Sequence, residues 1–219
     1  MTVSRVEVWL AVPVGDQRRH AHALVLRAAA ALLGVEAGAL ALARERGGRP
    51  YVALSRGGPA PLPAPLVSVS VSHTRGLTAV AVCGGGEAGG RIGVDVEAVR
   101  GLPAVALARR WFSDEEAQWI ESHDAALRVR ALLWVWTHKE ALGKALGTGL
   151  VRGGLLLPVP LPASGVPEQR TGDSAVLREI APEAGLTSAV PPAPDGYALC
   201  VAGARGTGGL PVSVRRVDG

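Results

Sequence analysis

Apolar and polar residues alternate over Val6-Glu-Val-Trp-Leu-Ala-Val12 near the N-terminus, which predicts a strand there. Asp16 then precedes apolar positions at helical spacing, so a helix is expected from this cap to about Leu33, with Gly34 as its stop. Tyr51–Leu54 reads as a strand, and Gly-Gly-Pro-Ala-Pro-Leu-Pro-Ala-Pro at 57–65 as a connector. Leu66–Val71 and Leu77–Cys83 predict two strands joined by a turn over Ser72-His73-Thr74-Arg75-Gly76. Gly-Gly-Gly-Glu-Ala-Gly-Gly at 84–90 predicts a flexible loop, and Arg91–Glu97 a further strand. Ser113-Asp-Glu-Glu has the spacing of a capping box, because Ser113 can cap and Glu116 can reciprocate. A long helix is expected from about Asp124 to Leu146, ended by Gly147 and Gly149. Periodicity fades after Pro160: residues 161–190 read as loops with one short helix, and Gly196–Ala202 and Pro211–Val217 as strands. Helices and paired strands are interspersed, a pattern of α+β architecture rather than of a parallel doubly wound sheet.

The chain has 219 residues, enough for one large domain or two small ones. Apolar residues make up 48% and charged residues 19%, which excludes a disordered chain. Aromatics are 4%, so Ala, Val and Leu must build most of the core. The net charge of +4 and a pI near 9.7 suit anionic partners but select none. Cys83 and Cys200 each sit in an apolar run and read as buried thiols. Arg5 and Glu7 interrupt the short apolar run at the N-terminus, and no run reaches the roughly 18 apolar residues of a membrane span. A cytoplasmic protein is the expectation.

Three segments place polar chemistry beside apolar structure. In Arg91-Ile-Gly-Val-Asp-Val-Glu97, strand alternation puts Ile92, Val94 and Val96 on one face and Gly93, Asp95 and Glu97 on the other. Two carboxylates at i and i+2 lie roughly 6–7 Å apart along a strand, so both can reach one hard cation. A solvated acidic face has the same pattern. In Trp136-Thr-His-Lys-Glu-Ala141, continuing to Lys144, Glu140 and Lys144 share a helix face. A surface salt pair has that spacing too. Lys139 and Lys144 are the only lysines among the 23 Lys and Arg residues, however, which points to a demand for ammonium where guanidinium serves elsewhere. In Val69-Ser-Val-Ser-His73-Thr-Arg-Gly76, a histidine between short hydroxyl side chains offers donors to phosphate oxygens, or an ordinary solvated turn. Carboxylates for a cation together with cationic donors indicate metal-assisted phosphate chemistry. The sequence contains no Walker A loop, no GxSxG elbow and no HExxH.

Gly48-Arg49-Pro50, Ser72-His73-Thr74, Gly93-Val94-Asp95-Val96-Glu97 and Trp136-Thr137-His138-Lys139-Glu140-Ala141, in this order, resemble the motifs of the Sfp-type 4'-phosphopantetheinyl transferases. The resemblance covers about residues 20–150. It implies two similar α/β halves related by a pseudo-twofold, residues 1–90 and 91–219, with the active site in the cleft between them. It implies transfer of the phosphopantetheine arm of coenzyme A to a serine of an apo acyl or peptidyl carrier protein. Asp95, Glu97 and Glu140 match the Mg²⁺ ligands. Glu140 also matches the base for the carrier serine, and Lys144 the group beside the leaving 3',5'-ADP. His73 matches a contact to the 3'-phosphate, and Arg49, Ser72 and Thr74 match positions lining the nucleotide. Arg18, Arg19 and His22 stand where larger members carry further basic residues. A monomer is implied, because the duplicated form makes its cleft within one chain.

Arg109, Arg110 and Arg152, with Trp111 and Phe112, are candidate contacts to the carrier, while ordinary core accounts equally for the two aromatics. A different Mg²⁺-dependent nucleotide phosphotransferase or phosphohydrolase would share the carboxylates and lysines but needs no carrier. A nucleic-acid module fits poorly, because the arginines are dispersed and stacking aromatics are few.

Overall fold

The computed structural model describes residues 5–55, 65–84, 90–150, 153–167, 173–204 and 206–218. Among the described residues, eleven strands and four α-helices form a mixed α+β fold with two sheets. The elements run β1 (Val6–Ala11), α1 (Gln17–Leu33), β2 (Leu40–Arg44), β3 (Pro50–Leu54), β4 (Val67–Thr74), β5 (Leu77–Gly84) and β6 (Arg91–Ala98). There follow α2 (Ala104–Trp111), α3 (Asp114–Glu121), α4 (Arg128–Leu146), β7 (Ser174–Val176), β8 (Arg178–Ala181), β9 (Leu186–Ala189), β10 (Tyr197–Ala204) and β11 (Pro211–Val217).

The larger sheet has the order β2-β3-β4-β5-β1-β11-β7 and the smaller one β6-β10-β9-β8. Within them, β3-β4-β5-β1 and β8-β9-β10-β6 repeat one arrangement, with every neighbour antiparallel. In each, the first strand of the segment pairs with the last, and a long helix follows that first strand. The larger sheet also takes β11, parallel to β1, and β7 from the C-terminal part of the chain.

The predicted alternation decides the layering. Val6, Val8 and Leu10 of β1 meet Ile92, Val94 and Val96 of β6 and Leu199 and Val201 of β10 in one core between the sheets. Trp9 and Ala11 face the other way, with Val80 and Val82, into a second core under Leu24, Val25 and Ala28 of α1. Ala141 and Leu142 of α4 cover Cys200 and Ala202 on the outer face of the smaller sheet. The order of layers is therefore helix, sheet, sheet, helix.

Local signals hold at the helix ends. The Asp16 side chain accepts from Arg19 N–H, and Gly34 closes α1 with φ 70°. Ser113 and Glu116 form both bonds of the capping box that opens α3. The first strand spans Val6–Ala11, with both faces of its alternation buried, one in each core. Other expectations need correction. The long helix begins at Arg128 rather than Asp124, after a turn at 125–127. Residues 161–190 hold the strands β7, β8 and β9 and a 3-10 turn rather than a short α-helix. These strands are three or four residues long and take their order from the sheets beside them. The connector at 57–65 and the loop at 84–90 fall largely outside the described residues. Among the described residues, no helix is long and apolar enough to cross a membrane.

Candidate active site

The site forms where α4 crosses β6, and a glycine makes the crossing. A Cβ placed on Gly93 would lie 1.9 Å from the Ala141 carbonyl oxygen and 2.7 Å from the Ala145 nitrogen. With only hydrogen there, the helix backbone rests directly on the strand. That contact lowers Glu140 and Lys144 onto the same face of β6 that carries Asp95 and Glu97.

β6 is an edge strand of its sheet, so one row of its N–H groups has no neighbouring strand. The alternating serines of Val-Ser-Val-Ser-Val-Ser-His-Thr supply the missing partners. Val94 N–H donates to Ser70 Oγ at 3.0 Å, and Ala98 N–H donates to Thr74 Oγ1 at 3.3 Å. The same row reaches the carboxylates: Ser72 Oγ donates to Asp95 Oδ1 at 2.7 Å and Thr74 Oγ1 to Glu97 Oε2 at 3.2 Å. The valines between them face α1. β4 thus joins the two sheets through side chains rather than through a backbone ladder.

Asp95 is 3% exposed. Lys144 Nζ lies 2.8 Å from its Oδ1 and also donates to the Val94 carbonyl at 3.0 Å. Asp95 Oδ2 is buried and has no partner. Burial, then the charge of Asp95, raises the pKa of Glu97 above the ordinary carboxylate value, against the lowering effect of Thr74, Arg100 and Lys144. Burial, then Asp95, also raises Glu140, with Lys144 opposing and Glu97 adding to the shift. The three carboxylates therefore repel one another across one space.

An unpartnered buried oxygen between two half-buried carboxylates suits a hard divalent cation, which favours oxygen donors and would cancel that repulsion. Among the described residues, no group of three or more His, Cys, Asp or Glu side chains is arranged to hold a metal ion.

The structure brings Ser72, Thr74, Asp95, Glu97, Glu140 and Lys144 together. His73 is exposed at the end of β4, on the opposite face of the strand from Ser72 and Thr74, and is not bonded to this group. Arg49 sits beyond the β2–β3 turn, where its Nη2 pairs with Glu45 at 2.7 Å. Its Nη1 is buried without a partner. The partners of two residues, Ser70 and Lys139, were set only by the structure. Ser70 reads as one more alternating polar residue until the edge of β6 is seen beside it. Lys139 is 2% exposed and turned away from the carboxylates: its Nζ meets Glu116 Oε1 at 2.7 Å and donates to the carbonyls of Leu155 and Leu157 at 2.7 and 2.9 Å. The rarity of lysine was the signal that both positions are special, and it did not say that they serve opposite sides of the helix. Cys83 and Cys200 are buried, with burial pushing the Cys83 thiol up to about 11, and burial and then the charge of Asp95 pushing the Cys200 thiol well above its ordinary value, so neither supplies a nucleophile.

Residues 91–202 match the family model described as the 4'-phosphopantetheinyl transferase superfamily. That span runs from the first residue of β6 into β10 and contains all of α4. The chain is also 39% identical over 72 residues to a protein of Synechocystis sp. (strain ATCC 27184 / PCC 6803 / Kazusa) whose name assigns it 4'-phosphopantetheinyl transferase activity as an inference. That match covers 32% of this chain and 29% of the relative.

Proposed function

The chain belongs to the 4'-phosphopantetheinyl transferase superfamily, and from that membership we propose that it moves the phosphopantetheine arm of coenzyme A onto a serine of an apo acyl or peptidyl carrier protein. The observation that carries the reading is the meeting of Glu140 and Lys144, one helical turn apart, with Asp95 and Glu97 across the Gly93 crossing. Carboxylates and an ammonium then meet at one place.

Asp95, Glu97 and Glu140 would hold Mg²⁺, which supplies positive charge to the oxygens of the coenzyme A pyrophosphate. Glu140 receives the proton of the carrier serine hydroxyl. Its raised pKa makes it a better base than an ordinary carboxylate at neutral pH. The serine oxygen forms a bond to the β-phosphorus of coenzyme A, the one bearing the pantetheine, as the bond to the bridging oxygen of 3',5'-ADP breaks. Lys144 donates to the leaving phosphate; its ammonium has three protons, and Asp95 and the Val94 carbonyl fix its position. Ser72 and Thr74 hold Asp95 and Glu97 by hydrogen bonds and border the nucleotide site. His73 and Arg49 would offer N–H donors to the outer phosphates. The nucleophile belongs to the partner, so no serine or cysteine of this chain is activated. The matched orders β3-β4-β5-β1 and β8-β9-β10-β6 support a pseudo-twofold between halves at residues 1–90 and 91–219, the second lending β7 and β11 to the first half's sheet; coenzyme A would lie in the cleft between them, with a monomer as the working unit.

Incubation with Mg²⁺, coenzyme A and an apo carrier should raise the intact mass of the carrier by one phosphopantetheine. No mass change across apo carriers from fatty-acid, polyketide and peptide synthesis would refute the proposal.

A further inference from the structure

β9 stops at Ala189, close to where its pairing with β10 begins at Val201. Pro191 and Pro192 follow, and proline has no N–H to give to a ladder. Residues 197–200 of β10 are therefore left with β6 as a strand neighbour on one edge and none on the other. α4 continues across this gap. Its Ala141 and Leu142 pack on Cys200 and Ala202, whereas Thr137 and His138, one turn earlier, line a cavity of about 370 Å³. The wall at Pro160 and Val166 is held in place by side chains. Trp134 Nε1 donates to the Pro160 carbonyl at 2.8 Å, Trp119 Nε1 to the Pro162 carbonyl at 3.1 Å, and Val166 N–H to His123 Nε2 at 3.1 Å. The cavity is thus built into the fold, as small-molecule sites usually are.

Most of the lining is apolar, with Val99, Val166, Pro191 and Leu199 among it. Two buried polar side chains line it with hydrogen-bonding capacity unused. His138 is 1% exposed. Its Nδ1 lies 2.7 Å from the Trp134 carbonyl oxygen, which only accepts, so Nδ1 carries the proton and Nε2 keeps a lone pair. Among the described residues, no donor reaches Nε2. Ser188 is 6% exposed and makes no side-chain hydrogen bond among the described residues. Thr137, by contrast, donates to the Leu133 carbonyl at 2.8 Å. A buried polar group without a partner costs stability, so an idle acceptor and an idle hydroxyl in one cavity call for a ligand that supplies both partners. The cavity begins at Val99, two residues beyond Glu97, and at Thr137, three before Glu140, so it adjoins the carboxylate site without including it.

We propose that this cavity binds a small, mainly aliphatic molecule that carries a secondary amide. The amide N–H finds an acceptor in His138 Nε2, its carbonyl finds a donor in Ser188 Oγ, and the aliphatic part finds the apolar walls. A carboxylate would bring only acceptors to the His138 lone pair, and an ammonium would bring no acceptor for the Ser188 proton. The amide has two sources: the arm of a coenzyme A substrate contains this group, and so does a separate amide ligand. The inference concerns binding and does not depend on the transferase reading.

The test is calorimetric titration of the full chain with N-hexylacetamide, which should bind saturably at one site. Hexyl acetate lacks the N–H and should bind at least about threefold more weakly, the scale of one hydrogen bond. Ser188→Ala should weaken the amide to a similar degree. Ala198→Leu fills the cavity without removing either polar group and should abolish binding, with its fold checked by thermal melt. Presaturation with coenzyme A, against 3',5'-ADP as the control without the arm, separates the sources. Loss of the site with coenzyme A alone assigns it to the substrate's arm, and an unchanged site assigns it to a separate molecule. No saturable binding by folded wild type overturns the inference, as does equal affinity for the ester or binding that survives Ala198→Leu. A chain that binds the amide and transfers nothing overturns the transferase reading alone.

Discussion

α1 and α4 occupy corresponding places, each following the first strand of a repeated arrangement and each covering the outer face of a sheet. Their buried residues differ in kind. Those of α1 are Ala21, Leu24, Val25, Ala28, Ala29 and Ala30, and none of them is polar. Those of α4 include Thr137, His138 and Lys139. The strands beneath differ in the same sense. α1 lies over strands with side chains such as Val80 and Val82, whereas α4 rests on the bare backbone of Gly93. One helix contributes a lid for a core. The other spends burial on charge and hydrogen bonding and gains a reactive surface on one side and an anchored turn on the other. Two helices in similar settings can therefore divide stability and chemistry between them, since local function is set by side chains grafted on a frame.

Breaking the Lys139 anchor should have the largest effect on that contrast. Lys139→Met strands Glu116 without its buried partner and should cost about 3–5 kcal/mol in denaturant unfolding. Adding Glu116→Gln, which keeps the capping bonds, should recover part of the loss. The glycines come next. Gly93→Ala drives a methyl group into the α4 backbone and should cost about 3 kcal/mol, whereas Gly84→Ala meets only Leu32 at 3.5 Å and should stay within about 0.5 kcal/mol. Equal losses at the two sites would erase the distinction drawn between the helices. Glu140→Ala should then lower transfer at least about a hundredfold, equivalent to about 2.7 kcal/mol, with little change in melting temperature. Near-normal turnover would remove Glu140 from the chemistry.

The smallest effect is the pH dependence of stability, and its sign separates the two faces of α4. Glu97 and Glu140 have raised folded-state pKa values, so above the ordinary carboxylate value of 4.5 the folded state holds more protons than the unfolded one. Their contribution is lost as pH rises through the raised values, and Glu140→Gln should flatten that slope in metal-free protein. His138 works in the opposite sense. Burial lowers it from 6.5 to about 4, so stability is lost as pH falls across that interval, and a neutral His138→Gln should remove that acid-side loss. Thermal melts in matched buffers read both slopes.

Much of this was legible where one residue's chemistry acts on its neighbours. Asp16, Gly34, the Ser113–Glu116 box and the alternation through Ile92, Val94 and Val96 behave as their spacing predicts. β7, β8 and β9 were not legible, because three- and four-residue strands take their conformation from partners far along the chain. The carboxylate motif and the lysine-bearing helix could be paired only through a family resemblance, since nothing in their spacing says that they touch.

The sequence by itself determined which residues alternate, which cap, and that two lysines stand apart from every other cation of the chain. Tertiary structure alone decided that Lys144 turns to Asp95 while Lys139 turns to Glu116, and that the serines of β4 close the open edge of β6. The physical reason is that a side chain's partner is set by which backbones approach closely. Here a single missing Cβ, at Gly93, sets the closest of those approaches.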